Sequence, residues 1–226
     1  MRKLIVAIDG PAGAGKSTVA KRLAQRLGYT YMDTGAMYRA FAWKVGQEGI
    51  DLSHEEGLER SLQETRIELV EQSGGLRVLL DGVDVTDAIR TPELSQRASR
   101  VSSLKPVRKR MVEIQRAMGS RGGVVAEGRD VGTVVFSEAE VKIYLDASLE
   151  ERARRRFQEL QRQGREVSLE ETLKEIDERD RRDQGRPLAP LCKAEGAIVI
   201  DSTRLEIDEV VERILQEVRK KMASIQ

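Results

Sequence analysis

The 226-residue sequence predicts an α/β chain of three layers: a five-stranded parallel sheet covered on both faces by helices and interrupted by a small antiparallel insert. Three observations carry that expectation. A glycine-rich phosphate-binding loop joins the first strand to the first helix. Five short apolar runs recur between helical patterns, as buried parallel strands do. One stretch, from about Thr65 to Thr86, changes to the two-residue period of half-exposed strands.

The run Leu4-Ile5-Val6-Ala7-Ile8 is too short for a globular helix and rich in β-branched residues, so it reads as a buried strand. Gly10-Pro11-Ala12-Gly13-Ala14-Gly15-Lys16-Ser17-Thr18 follows, with the spacing G-x-x-x-x-G-K-S. Glycines let successive N–H groups curl around a phosphate where a Cβ would intrude. A helix begins near Lys16, its apolar residues Val19, Leu23 and Leu27 four apart, and adds unpaired N–H groups and the positive end of its dipole. Lys16, read as an exposed residue at the helix start, can reach the β- and γ-phosphates, and the Ser17 hydroxyl can take a Mg²⁺ position. The loop therefore implies a bound nucleoside triphosphate.

The bulk composition excludes several classes. Lysine and arginine number 39 against 38 acidic residues, so nothing draws the chain as a whole to nucleic acid or an anionic membrane. Arginine far outnumbers lysine, which suits bidentate contacts to phosphate and carboxylate as well as an ion-paired surface. Cys192 is the only cysteine, which rules out an internal disulfide. No run has the length of a membrane span, and the N-terminus leads into a strand with no signal-peptide pattern. A cytoplasmic enzyme is expected.

Further along, Tyr29 to Asp33 reads as the second strand, and Thr34-Gly35 opens a helix carrying Met37, Tyr38, Phe41 and Val45. Arg39 lies one turn into it, close enough to Thr34 for both to address one anion. Ser53 with Glu56 forms a capping box for the next helix, and His54, the sole histidine, sits in a polar turn as a solvated residue. Ile67, Leu69, Val78, Leu80, Val83 and Val85 alternate with polar residues, with turn signals at Gly74-Gly75 and Asp81-Gly82. Thr91-Pro92 caps a helix, and another runs from about Val107 to Met118; Ser99, Arg108 and Arg110 lie along or near them. Gly123 to Glu127 is the third core strand, followed by the polar turn Gly128-Arg129-Asp130, and Val141 to Asp146 is the fourth. Ser148 with Glu151 caps an arginine-rich helix, in part an outer charged face at Arg152 to Arg156; Ser168 with Glu171 caps the next. Ala197 to Asp201 is the fifth strand, and Thr203 with Glu206 starts the last helix. Ligands in such sheets sit beyond the carboxyl ends of the strands. The loop, Asp33-Thr34, Glu127 to Asp130, and Asp146 all fall at such ends, so one cleft is expected.

A phosphate loop plus arginines around a second anion site argues for phosphoryl transfer between two phosphate-bearing substrates. Over nearly its whole length the chain closely resembles bacterial cytidylate kinases. The specific segments are Asp33-Thr34-Gly35-Ala36-Met37-Tyr38-Arg39, Glu127-Gly128-Arg129-Asp130-Val131-Gly132-Thr133-Val134-Val135-Phe136, and Glu178-Arg179-Asp180 through Arg186, in that order after the loop. The resemblance implies ATP as donor, with Mg²⁺, and CMP or dCMP as acceptor. It implies ATP contacts at Gly10, Pro11, Ala12, Gly13, Ala14, Gly15, Lys16, Ser17 and Thr18. The acceptor phosphate falls to Thr34, Arg39, Arg129 and Arg186, the cytosine to Ser99, Arg108 and Asp130, and the ribose to Asp183. Arg179 and Arg186 belong to a short helical lid closing over the transferring group, so Lys16, Arg129, Arg179 and Arg186 are the expected catalytic set. Glu127 is left open, with contact to a Mg²⁺-bound water as one possibility. Residues 1–62, 105–150 and 188–226 are expected to form the core, 63–104 the monophosphate-binding insert and 151–187 the lid, in a monomer that binds neither nucleic acid nor membrane. The rival readings are a kinase for UMP, AMP, shikimate or dephospho-coenzyme A, which would lack the cytosine contacts, and a guanine-nucleotide switch. The guanine-reading tetrads N-K-x-D and T-K-x-D are absent from the sequence.

Overall fold

A computed structural model describes residues 3–72 and 75–225. They form two compact units: one runs from Tyr31 to Ser120, and the other comprises the residues up to Thr30 together with those from Arg121 onward.

The second of these carries the phosphate loop. Its strands are β1 (Ile5–Asp9), β6 (Val124–Gly128), β7 (Val141–Asp146) and β8 (Ile198–Asp201). β2 (Thr30–Asp33) starts here, with the Thr30 N–H donated to the Gly123 carbonyl at 2.8 Å. The five strands follow the order β2-β6-β1-β7-β8. β1 pairs in parallel with β6 (Val6 opposite Val125) and with β7 (Val6 opposite Val141), and β7 pairs with β8. Flanked on both sides, β1 and β6 are buried almost throughout, which explains why they read as unbroken apolar runs. β8 is an edge strand, so its Ile198 and Val199 are exposed although the sequence places them in a covered core. Helix α1 (Lys16–Leu27) packs between β6 and α8 (Ile207–Ile225), burying Val19, Ala20 and Leu23 on one side and Val211, Ile214 and Val218 on the other. Helices α6 (Leu149–Arg162) and α7 (Leu169–Gln184) pack on each other.

The other unit holds α2 (Thr34–Glu48), α3 (Glu55–Glu64), β3 (Ile67–Gln72), β4 (Gly75–Leu80), β5 (Val83–Asp84), α4 (Pro92–Val101) and α5 (Lys105–Gly119). β3, β4 and β5 make the expected antiparallel sheet. At the Asp81-Gly82 turn both φ angles are positive, 51° and 83°, the backbone that a tight hairpin of the right twist demands. Gly74, in the other expected turn, lies outside the described residues. Val85 is buried but Val83 is exposed, because β5 is a two-residue edge strand. Met37, Phe41, Ile89, Val101, Val107 and Met111 form the centre of this unit's core.

Three of the expected helix caps differ, and in each a competitor for the capping atoms is visible. Asp51 accepts both the N–H and the hydroxyl of Ser53, so His54 caps α3 instead, its Nδ1 accepting from Gly57 N at 3.2 Å. Asp201 captures the N–H and hydroxyl of Thr203 in the same way, and α8 begins only at Ile207. Ser148 does cap α6, but Glu151 turns to Arg154 and Arg155 and leaves the box half made. Ser168 with Glu171 is a complete capping box.

Candidate functional site

The loop after β1 is shaped by glycines at positions where a Cβ would clash or strain the backbone. Gly10 (φ +152°) passes so close to β7 that a Cβ would stand 1.9 Å from the Leu145 carbonyl oxygen. Gly13 (φ +77°) packs on the backbone of α6, and a Cβ there would meet Arg152 O at 2.8 Å. Gly15, at φ +87°, is the N-cap of α1 and has no side-chain cap, which leaves the helix's first N–H groups for a ligand. The loop carbonyls, by contrast, have donors. Lys16 Nζ donates to Pro11 O at 2.6 Å, Arg152 Nη1 to Ala12 O at 3.0 Å, and Ser202 Oγ to Ala14 O at 3.3 Å.

Lys16 is buried, with 6 % of its surface exposed, which corrects the expectation of an exposed lysine. Burial, and then the nearby positive charges of Arg129 and Arg179, lower its pKa to about 7 against the pull of Glu127 and Asp9. Ser17 Oγ donates to Glu127 Oε1 at 2.5 Å. A hydroxyl beside a carboxylate at the foot of a phosphate loop fits Mg²⁺, which takes few protein oxygens and completes its shell with phosphate and water. The described residues include no group of three or more His, Cys, Asp or Glu that could hold an ion without such help.

Asp9, at the end of β1, accepts from Val131 N at 2.8 Å and Gly132 N at 2.7 Å. It thereby fixes the turn that carries Arg129 and Asp130 into a five-residue π-helical turn, Val131–Val135. Burial raises the Asp9 pKa to about 6.

Beyond β6 stands an arginine cluster built on one carboxylate. Asp183, on α7, has 1 % of its side chain exposed and pairs with Arg129 Nε at 2.8 Å and with Arg186 Nη2; Arg179 Nε lies 4.0 Å away. Burial opposes the Asp183 charge, but Arg129, Arg186 and Arg179 together hold its pKa below the usual carboxylate value. Three of the four expected catalytic residues, with Asp183, are thus brought together, and two of them are close enough to Lys16 to shift its proton equilibrium.

In the other unit, Asp33 caps α2 through Ala36 N at 2.8 Å and holds Arg39 Nη2 at 3.1 Å, with Thr34 buried at the helix start. Ser99 and Arg108, both buried, are linked through Ser102, whose hydroxyl donates to Ser99 O at 2.9 Å and whose carbonyl accepts from Arg108 Nε at 3.1 Å. The Arg108 guanidinium also sits 5.7 Å from the centroid of the Tyr38 ring.

Several participants escape a sequence reading: Asp9, Asp180, Ser202, Tyr38 and Arg152. The arginine run of α6 is not simply an outer face. Arg152 is buried against Asp180, and Arg155 reaches Ser202 Oγ at 3.1 Å and Ser202 O at 2.7 Å. Asp9, just before the loop, and Tyr38 and Asp180, inside the segments quoted above, do carry a local signal; Ser202 carries none. No helix among the described residues is long and apolar enough to cross a membrane.

Comparison with known proteins gives a consistent picture. The family model described as Cytidylate kinase matches residues 6–220. A curated cytidylate kinase of Desulfitobacterium hafniense (strain Y51) is 52 % identical over 214 residues, 95 % of this chain and 92 % of the relative. That of Bacillus subtilis (strain 168) is 50 % identical over 220 residues, 97 % of this chain and 98 % of the relative. Among solved structures, an uncharacterized protein from Eubacterium ventriosum shares the fold, with a TM-score of 0.53 at 13 % identity and coverage of 96 % and 99 %.

Proposed function

The chain belongs to the cytidylate kinase family, and on that premise we propose that it transfers the γ-phosphoryl group of ATP to CMP, and to dCMP, with Mg²⁺. One observation carries the chemistry: a buried lysine in a phosphate loop lies within electrostatic reach of arginines gathered on Asp183. Phosphoryl transfer needs positioning and neutralisation of spreading negative charge more than any covalent step. Here the loop from Gly10 to Thr18 holds the triphosphate, and Lys16 follows the charge that moves between the phosphates. Bound Mg²⁺ would screen the phosphate oxygens, with Ser17 and Glu127 as its protein side.

Arg129 and Arg186, with Thr34 and Arg39, take the acceptor phosphate, because a phosphate dianion suits planar guanidinium forks. Arg179 joins Lys16, Arg129 and Arg186 in stabilising the transferring group. The ribose is assigned to Asp183, whose carboxylate also tethers the arginines. Cytosine is assigned to Ser99, Arg108 and Asp130. Ionised Asp130 only accepts hydrogen bonds, which favours the cytosine amine and repels the uracil oxygen; Arg108 only donates, which suits the cytosine carbonyl or ring nitrogen. Residues 63–104 serve as the monophosphate-binding insert and 151–187 as the lid on a core of 1–62, 105–150 and 188–226, in a cytoplasmic monomer acting on small molecules alone.

The test is kcat/KM with ATP for CMP, dCMP, UMP and AMP, in the wild-type chain and in Asp130→Ala. CMP should lead the panel, and Asp130→Ala should narrow the CMP-to-UMP ratio by about tenfold or more, chiefly by lowering the CMP value. Phosphorylation of AMP or UMP ahead of CMP would overturn the substrate assignment, and an unchanged ratio would remove Asp130 from base recognition.

A further inference from the structure

Around Ala12 the donor loop meets two helices in one buried junction. The Ala12 N–H donates to Asp180 Oδ1 at 3.2 Å, and the Ala12 carbonyl accepts from Arg152 Nη1 at 3.0 Å. The same Arg152 nitrogen pairs with Asp180 Oδ2, which closes a ring of charge-assisted bonds on both sides of one residue. Arg152 Nε is fixed in turn by Ala147 O at 3.0 Å. Both side chains are 9 % exposed, and the Gly13 backbone rests on the backbone of Arg152.

We infer that Arg152 and Asp180 are a positioning pair for the donor site: they orient the Ala12 peptide groups so that the loop's cradle is set before ATP arrives. The physical reason lies in the alternation of peptide dipoles. An anion cradle works only if its N–H groups point inward and its carbonyls do not. Ala12 stands where the chain turns into the cradle, so holding its N–H and its carbonyl on outside partners fixes the rotation of the peptide planes that follow. A free peptide flip at this point would turn a carbonyl oxygen toward the triphosphate. Arg152 suits the task because its guanidinium forms a rigid fork, able to reach Ala12 O, Ala147 O and Asp180 together. Asp180 suits it because it neutralises that charge in a buried place, where an unpaired guanidinium is costly. Neither residue needs to touch a nucleotide.

α7 then carries two holdfasts one turn apart. Asp180 holds the donor loop and Asp183 holds the arginines. Residues i and i+3 share a helix face, so a single rigid element sets both.

The inference rests on the loop being the ATP site, as proposed above. The experiment measures the Kd of a non-hydrolysable ATP analogue and, separately, of CMP by titration calorimetry, using the full chain with Asp180→Ala, Arg152→Met and the double variant. A loosened cradle should weaken the ATP analogue by about tenfold or more, since small misplacements of a positioned group are costly. CMP should change by less than about threefold, and the double variant should be no worse than the poorer single, because residues acting as one unit are not additive. An ATP-analogue Kd within about threefold of wild type in a folded variant would overturn the pair's role. So would equal loss of both ligands, which is the mark of a merely structural contact. Should Asp180→Ala fail to fold, Arg152→Lys decides. It keeps the charge beside Asp180 but lacks the fork, and the same ATP-selective loss is expected; wild-type affinity in that variant would overturn the inference. Absence of CMP binding in the wild-type chain would instead refute the CMP reading, and the ATP arm would still decide this one.

Discussion

In the loop from Gly10 to Thr18 the backbone makes the site, and buried partners hold it still. In the cluster of Arg129, Arg179 and Arg186 the side chains make the site, and one carboxylate holds them. The loop keeps its form through steric limits at Gly10 and Gly13 and through outside donors to its carbonyls, the Arg152–Asp180 pair among them, so its own backbone has no like charges to hold together. In the cluster Asp183 offsets the mutual repulsion of the guanidinium groups, its negative charge standing in for the phosphate dianion that the proposed acceptor brings. A backbone site is therefore ready-made, and a side-chain site must store a counter-ion until its ligand comes. The two regions should fail differently.

Asp183→Ala should give the largest effect. It removes the almost fully buried carboxylate that three partly buried guanidinium groups share, and removal of one member of a buried ion pair typically costs about 3–5 kcal/mol. Urea unfolding midpoints would show the loss, and a change under ~1 kcal/mol would mean that the arginines find other partners at no cost.

Gly13→Ala comes next. Its positive φ and its Cβ, 2.8 Å from Arg152 O, demand a shift of the loop, at a cost of roughly 1–3 kcal/mol. The expected signature is weaker binding of an ATP analogue with CMP affinity preserved, as read by calorimetry; weakening of CMP alone would contradict the division between the regions.

The smallest effect concerns a proton. With Lys16 held near a pKa of about 7, the free protein at pH 8 carries this amine largely neutral. A triphosphate restores the charge, so ATP-analogue binding at pH 8 should take up close to one proton, measurable as a dependence of heat on buffer ionisation enthalpy. Lys16→Met should abolish it. The sign for stability follows from the same shift. The folded state binds fewer protons than the unfolded one between about pH 7 and the ordinary lysine value of 10.5, so this group's contribution to stability rises with pH across that window and is flat below it. Asp9 acts in the opposite direction at lower pH. With its folded pKa raised from 3.8 to about 6, its contribution falls as pH rises between those values.

The same contrast explains what could be read before the fold was known. Backbone-made features leave their requirement in one place: the glycine spacing of the loop, Asp81-Gly82 in the hairpin, and Ser168 three residues before Glu171. The parallel strands show in their apolar runs, although their order in the sheet does not. Side-chain partnerships leave no such trace. Asp9 meets Val131 across 122 residues, and Arg152 meets Asp180 across 28, so only the fold joins them. For the same reason Lys16 looks like an exposed helix-start residue until its surroundings are seen. The misplaced caps are another matter, because their signal was local. Asp51 with Ser53 and Asp201 with Thr203 repeat one pattern, in which an aspartate two residues upstream takes the N–H and hydroxyl of the expected cap.

Arg129 links the two regions: it pairs with Asp183 and also lies close enough to Lys16 to act on its charge. Calorimetric titration of Arg129→Ala with CMP and with an ATP analogue separates the two regions. If the arginine cluster is the acceptor site, CMP affinity falls by about tenfold or more, the ATP analogue stays within about threefold, and UMP and dCMP weaken in step with CMP because the phosphate is common to all. Loss confined to the ATP analogue would place Arg129 at the donor loop and contradict the account.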